Sequence, residues 1–288
     1  MTTPTTDALP SSPLVVTERD LAGALAILER ADQDPDILMV LSDEELLALD
    51  GEASLRILGS PYLDQEQVHR ETAGATAMRG LIARRLVNPT DQAREEEGDL
   101  LIGEGDPSDR LIQLELGLAG ILTLRRTPEA LLTIERVASQ VRTTLGLHFF
   151  PGGVLEEFVA ADGFHHFCVP TLASLPSRLA AFVDPHGSAG DDGDVQEMTV
   201  AAVTSLEGLE DTRALSTLTS VNDQGARRAT VFTLADRVRV VDNGTEDPAG
   251  TQPGDLLAIS DVSASALEQI IESLLPAGSG SDEESTDS

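Results

Sequence analysis

The side chains best suited to chemistry lie in one short run, residues 164–170, Phe-His-His-Phe-Cys-Val-Pro. Histidine and cysteine are metal ligands, and a closed zinc site takes four of them around a tetrahedron. Successive side chains on a strand alternate between its faces, so His166 and Cys168 share one face while His165 points the other way. At most two ligands therefore converge from this run. His148, two predicted strands away, could reach the face of His166 and Cys168, whereas His186 follows a helix. There is no Cys-x-x-Cys pair, and the sole Cys excludes an intrachain disulfide. The competing reading is a half-buried strand whose histidines are satisfied by hydrogen bonds. The sequence contains no G-x-S-x-G elbow, P-loop, G-x-G-x-x-G or H-E-x-x-H motif. Gly-Asp-Asp-Gly-Asp at 190–194 lacks the spacing and final Glu of a calcium loop. We expect no catalytic, cofactor-binding or metal site.

The second candidate is 75–89, ATAMRGLIARRLVNP, which sets three arginines on an apolar helical pattern. Read on a 3.6-residue period, Val68, Ala75, Met78, Ile82 and Leu86 line one face. Arg70 and Arg84 point away, and Arg79 and Arg85 flank the stripe. A winged-helix regulator would use such a helix, following two shorter ones, to read DNA. Its wing should then supply more cations. Instead the chain continues as AREEEGDLLIGEGDP, whose carboxylates would repel phosphate. Packing is the preferred role, with a winged-helix regulator using helix 64–87 as the alternative and an unrecognised hydrolase or metalloenzyme third.

Charge supports that order. Fifty acidic residues face nineteen basic ones, all arginine, for a net charge of −31 over 288 residues. Such a surface repels nucleic acid and favours solubility. The N-terminus has neither the basic nor the apolar region of a secretory signal, and no apolar run nears the ~20 residues of a membrane span. A cytoplasmic protein with no membrane association is expected. Aromatics make up 3% of the chain, so the core must be aliphatic.

The elements that would hold these residues follow from punctuation and periodicity. Residues 1–13 and the acidic 277–288 have the composition of disordered ends. Thr17 caps a helix bearing Leu21, Leu25 and Leu28, and Ser42 with Glu45 forms a capping box for a second. A long helix spans 64–87, closed ahead of Pro89. Segment 90–107 reads as loop or short strand, and 109–124 as helix. This helical region covers 14–127. Four β-type runs, 131–137, 141–150, 154–161 and 164–170, then form an antiparallel meander closed by a helix that ends at Pro185, the unit being 128–186. After a linker at 187–194, the unit 195–276 repeats the order: helix 195–209, runs at 214–221, 227–234, 237–242 and 255–260, and a helix ending at Pro276. The fold class is α+β, with two quasi-symmetric meander-plus-helix halves.

One resemblance rests on Arg79-Gly80-Leu81-Ile82-Ala83-Arg84-Arg85-Leu86. It resembles the R-x-L-x-x-R-G-L helix motif of EspG-like proteins, the chaperones of ESX (type VII) secretion in actinobacteria, and departs from it at Arg85, where the motif has Gly. The layout is also similar over residues 40–276, as are Val231-Phe232 and the closing DLLAISDVSASALEQIIESLLP. The resemblance implies a cytoplasmic, non-catalytic adaptor or chaperone that holds a helical secretion substrate through its sheet and loops.

Overall fold

The computed structural model describes residues 16–89, 101–102, 112–203, 206, 209–245 and 252–276. The readings of 1–13, 277–288 and most of 90–107 lie outside these residues. In chain order the first elements are β1 (Val16–Thr17), α1 (Glu18–Leu28), β2 (Met39–Ser42), α2 (Asp43–Asp50), α3 (Glu52–Leu55) and α4 (Arg70–Ala83). Next come β3 (Val87–Pro89), β4 (Leu101–Ile102), β5 (Ile112–Leu114) and α5 (Leu116–Arg126). Both N-caps form as the sequence dictates. Thr17 closes a capping box with Asp20, and Ser42 closes one with Glu45.

The first meander is β6 (Ala130–Ala138), β7 (Val141–Phe150), β8 (Gly153–Val159) and β9 (Phe164–Cys168), followed by α6 (Leu175–Val183). The second half holds β10 (Gln196–Thr199), α7 (Val200–Val203), β11 (Ala214–Asn222), β12 (Gly225–Thr233), β13 (Val238–Thr245), β14 (Leu256–Val262) and α8 (Ala264–Leu274). The fold is α+β, and the two meanders are antiparallel throughout.

Both meanders belong to one ten-stranded sheet of order β10-β14-β13-β12-β11-β6-β7-β8-β9-β2. The opening strands β6 and β11 pair antiparallel at its centre, with Leu218 opposite Ile134. Each half ends in a four-residue strand taken from ahead of its meander, β2 on β9 and β10 on β14. The order therefore reads as two-fold about the β6–β11 seam.

The sheet has two differently used faces. On one, α6 and α8 lie together over an aliphatic core that includes Leu132, Leu147, Leu218, Val240 and Ile271. On the other, the N-terminal helices cover the first half through Leu46, Leu81, Leu122, Leu155 and Phe167. There α1 and α5 cross at Gly23 and Gly120, so closely that a Cβ on either would overlap the facing backbone.

Three helices differ from expectation. The 64–87 helix starts at Arg70, so Val68 precedes it and cannot set its register. The buried face runs through Gly74 and Leu81, while Ala75 is exposed and Ile82 is 40% exposed. Helix 109–124 is confined to 116–126, because 112–114 pairs with β3. Among the described residues of 195–209, strand β10 and a single helical turn, Val200–Val203, take the place of the expected helix, as the β-branched Thr199, Val200 and Val203 favour.

The end of α4 has a backbone that favours glycine at position 85, where this chain carries Arg. The φ of Arg85 is +60°, left-handed, while the Leu86 N–H bonds to the Leu81 carbonyl as the closing bond of the cap. Glycine suits that position because a Cβ there costs roughly 1–2 kcal/mol, only partly offset by glycine's larger unfolded-state entropy. We expect Arg85→Gly to raise the unfolding free energy by a few tenths to about 1 kcal/mol. Leu81→Ala should lower it by about 2–5 kcal/mol and Ile82→Ala by less than about 1 kcal/mol. Urea denaturation of the three variants checks all of these.

Candidate functional site

The histidine–cysteine run divides across the sheet as strand alternation requires. His166 and Cys168 share the face that carries α6, and His165 points to the N-terminal helices. His148, which from its place in the sequence could have reached the face of His166 and Cys168, does not. Its register partner on β8 is Leu155, and its ring bonds Glu157, so it lies on the face of His165. His186 is exposed in the turn after α6. Among the described residues no three His, Cys, Asp or Glu side chains are grouped to hold a metal.

Cys168 is not poised for reaction. Its Sγ donates to Glu156 Oε1 at 3.2 Å, and Arg178 holds the same carboxylate through two bonds of 2.8 Å. Burial, reinforced by Glu156, pushes the thiol pKa up to about 12. A thiol so rarely ionised is a poor nucleophile near neutrality.

On the opposite face lies a cluster that sequence reasoning missed. Glu157, fully buried, accepts from Arg125 Nε at 3.0 and 2.8 Å, from His148 Nε2 at 3.1 Å and from His165 Nδ1 at 2.7 Å. The other nitrogen of His165 lies 2.8 Å from Asp43 Oδ1. Asp43, the first residue of α2, has 0% exposure, and its Oδ2 accepts the N–H groups of Tyr62 and Leu63. Arg125 also donates to the Ser54 carbonyl, and Asp50 is paired with Arg126. The cluster ties β8, β9, α2, α5 and the 54–63 segment together.

Both nitrogens of His165 face carboxylates, which accept but do not donate when ionised, so the ring is doubly protonated. Burial opposes that charge, but the bonds to Asp43 and Glu157 outweigh it and raise the His165 pKa. Burial likewise opposes ionisation of Glu157. The Arg125 guanidinium and the two histidines prevail and hold its carboxyl well below the usual carboxylate range. Three cations, Arg125, Arg126 and His165, thus balance three anions, Asp43, Asp50 and Glu157. With Asp43, Glu157 and His165 all at 0% exposure, this is a structural ion cluster closed to substrate.

Two open surfaces among the described residues bear on binding. The middle of the N-terminal face is a trough floored by Leu131, Thr133, Leu215, Thr217, Thr219 and Thr230, all partly exposed. It lies between Leu58, seated over Gly146, and the small core around Val203 and Val241. None of its floor residues joins a core cluster among the described residues. On the opposite face, a groove of about 900 Å³ runs between α6 and the β8–β9 edge, lined by Ile37, Arg136, Phe158, His166, Arg178 and Phe182 among others. No described helix is long and apolar enough to cross a membrane.

No protein-family model matches the sequence, and no curated protein matches it. Among solved structures the chain is similar to the Mycobacterium tuberculosis type VII secretion system chaperone EspG5, determined in complex with a PE25–PPE41 dimer. The likeness covers 83% of this chain and 97% of that chain, with 10% identity and a TM-score of 0.48.

The ion cluster has a pH signature of fixed sign. A raised His165 pKa contributes stability that is complete below the ordinary histidine value of ~6.5 and lost as pH rises through the folded value. The depressed Glu157 pKa contributes stability that is complete above the ordinary carboxylate range and lost as pH falls through the folded value. Chemical denaturation from acid to alkaline pH should show stability falling at both ends. In His165→Gln the alkaline decline should shrink. Glu157→Gln should cost about 3–5 kcal/mol at neutral pH, by leaving Arg125 and His165 buried without their anion.

Proposed function

We propose that this chain is a non-catalytic, cytoplasmic protein-binding adaptor or chaperone whose partner docks in the trough at the centre of its sheet. The observation that carries the reading is that trough: sheet surface at the seam of the two halves, floored by threonine and aliphatic side chains that no described helix covers. Continuous strands of one large sheet give a rigid platform, and the groups offered are apolar or neutral hydroxyls, suited to a polypeptide surface. The ionisable cluster that might have served catalysis is closed and internally neutralised.

The class of partner is inferred from the Arg79–Leu86 motif, whose family members attend type VII secretion and hold helical substrates. The left-handed φ of Arg85 lends the motif a physical meaning, because the family's glycine falls where the backbone calls for one. The two halves, 128–186 and 195–276 about the 187–194 connection, are proposed as the units that flank the docking site. A DNA-reading role for α4 finds little support. Arg84 is paired with Glu45, and the helix packs against α2, whose first turn carries Asp43, Glu44 and Glu45.

The test is co-expression with small helical WXG-type proteins encoded near its gene, followed by size-exclusion chromatography. A co-eluting complex is expected, and Leu215→Glu or Thr217→Arg should abolish it with little change in melting temperature. An Arg84→Ala/Arg85→Ala variant should retain it. If the parent instead forms a salt-sensitive complex with duplex DNA that this double variant loses, the adaptor reading is wrong.

A further inference from the structure

We infer that the groove beside α6, on the face opposite the trough, is a second docking site that takes an apolar segment of a partner polypeptide through one carboxylate, with Arg136 as the anchor. The inference rests on the protein-binding reading and adds the chemistry of one contact.

Arg136 projects from β6 onto the face that carries α6. Its guanidinium carbon sits 4.1 Å from the centroid of the Phe182 ring, and Nη1 donates to the Phe182 carbonyl at 2.7 Å. Its Nε is buried without a hydrogen-bond partner, and among the described residues no carboxylate lies within ion-pair distance. Arg56, Arg79 and Arg213 also lack such a partner among the described residues, but they are exposed, whereas Arg136 is half-buried. The groove's other arginine, Arg178, is neutralised by Glu156, and buried Arg125 by Glu157. Burial lowers the Arg136 pKa, as expected for a cation lacking a counter-charge. A half-buried guanidinium without a counter-charge is the complement of an incoming carboxylate.

Gln33, Asp34, Ser174 and Ser177 give the groove polar positions, and the rest of its surface is largely apolar and aromatic. Phe182 and Phe158 meet edge to face at 6.2 Å, and Phe158 and His166 stand 6.0 Å apart. His166 Nδ1 is a second buried polar atom without a partner. The apolar surface continues on the same sheet face, where Val40 pairs with His166 and Phe164 lies two positions along. Ile37, Val40 and Phe164 are 59%, 38% and 44% exposed. Of the seven Phe, Phe158 and Phe182 line this groove and Phe164, 44% exposed, stands beside it, so exposed aromatic surface is concentrated here. Several separated apolar positions in an open groove suit the successive side chains of a polypeptide better than one small molecule. The chain's own acidic tail supplies carboxylates but no large apolar side chain.

The experiment is fluorescence anisotropy on the full chain with labelled acetyl-Leu-Phe-Asp-Leu-Phe-amide, its Asn-for-Asp twin, and decanoate as competitor. Saturable binding of the Asp peptide is expected, weakened at least about tenfold in the Asn twin and in Arg136→Gln, and partly restored in Arg136→Lys. Phe158→Ala should weaken both peptides, and melting curves of each variant confirm that it folds. Equal affinity for the two peptides, no effect of Arg136→Gln, or decanoate binding without peptide binding overturns the inference. Thr217→Arg should leave peptide binding intact. Peptide binding without a co-eluting secretion substrate would therefore overturn the proposed function alone, and the opposite result this groove alone.

Discussion

The architecture depends on one backbone seam. Eight register pairs between Leu131–Ala138 of β6 and Ala214–Val221 of β11 join two meanders that would otherwise be separate sheets of five strands. Side chains alternate along both strands, so the seam also allots residues to the two faces. Ile134 and Leu218 go under α6 and α8, while Thr133, Thr217 and Thr219 go to the open side. A one-residue slip would exchange these sets, exposing the aliphatic core and burying hydroxyls without partners. The helix pair on one face and the uncovered middle of the other thus follow from a single alignment.

The ion cluster solves a different problem. The N-terminal helices contact the sheet through aliphatic side chains, which bind strongly but fix orientation weakly. Glu157 and His165, diagonal neighbours on one face of the paired β8 and β9, demand specific partners from α2 and α5, since any misplacement strands a charge away from water. Such a cluster adds little net stability over apolar packing. We assign it the role of setting one docking of the helical region on the sheet.

Much of this was legible in the sequence. Turn chemistry at Pro151-Gly152 and Asp162-Gly163 delimits the first meander, and the segments closed by Pro185 and Pro276 end in helices. Local signals suffice there because antiparallel meanders are built from contacts close along the chain. The seam was not legible, because pairing of β6 with β11 leaves no mark on either strand. Nor was the ion cluster, although Glu156-Glu157 within the apolar VLEEFV offered a signal. Two carboxylates on opposite faces of a central strand must each find a cation, and Arg178 and Arg125 supply them. For α4 the apolar stripe read from the sequence lies about one residue out of phase with the buried face, because Val68, which shares its period, is not helical.

The lengths of the outermost strands have a further consequence. A sheet this wide would be an invitation to fibre growth if its margins resembled its interior, where β6, β7, β11 and β12 run nine or ten residues. Instead β2 and β10 each offer only four residues of margin, and Glu197 places a carboxylate on one of them. A strand from another molecule would find too few backbone groups to repay its ordering, and on a chain of net charge −31 a second copy would approach against repulsion. The sheet grows to ten strands and is sealed at its margins against an eleventh.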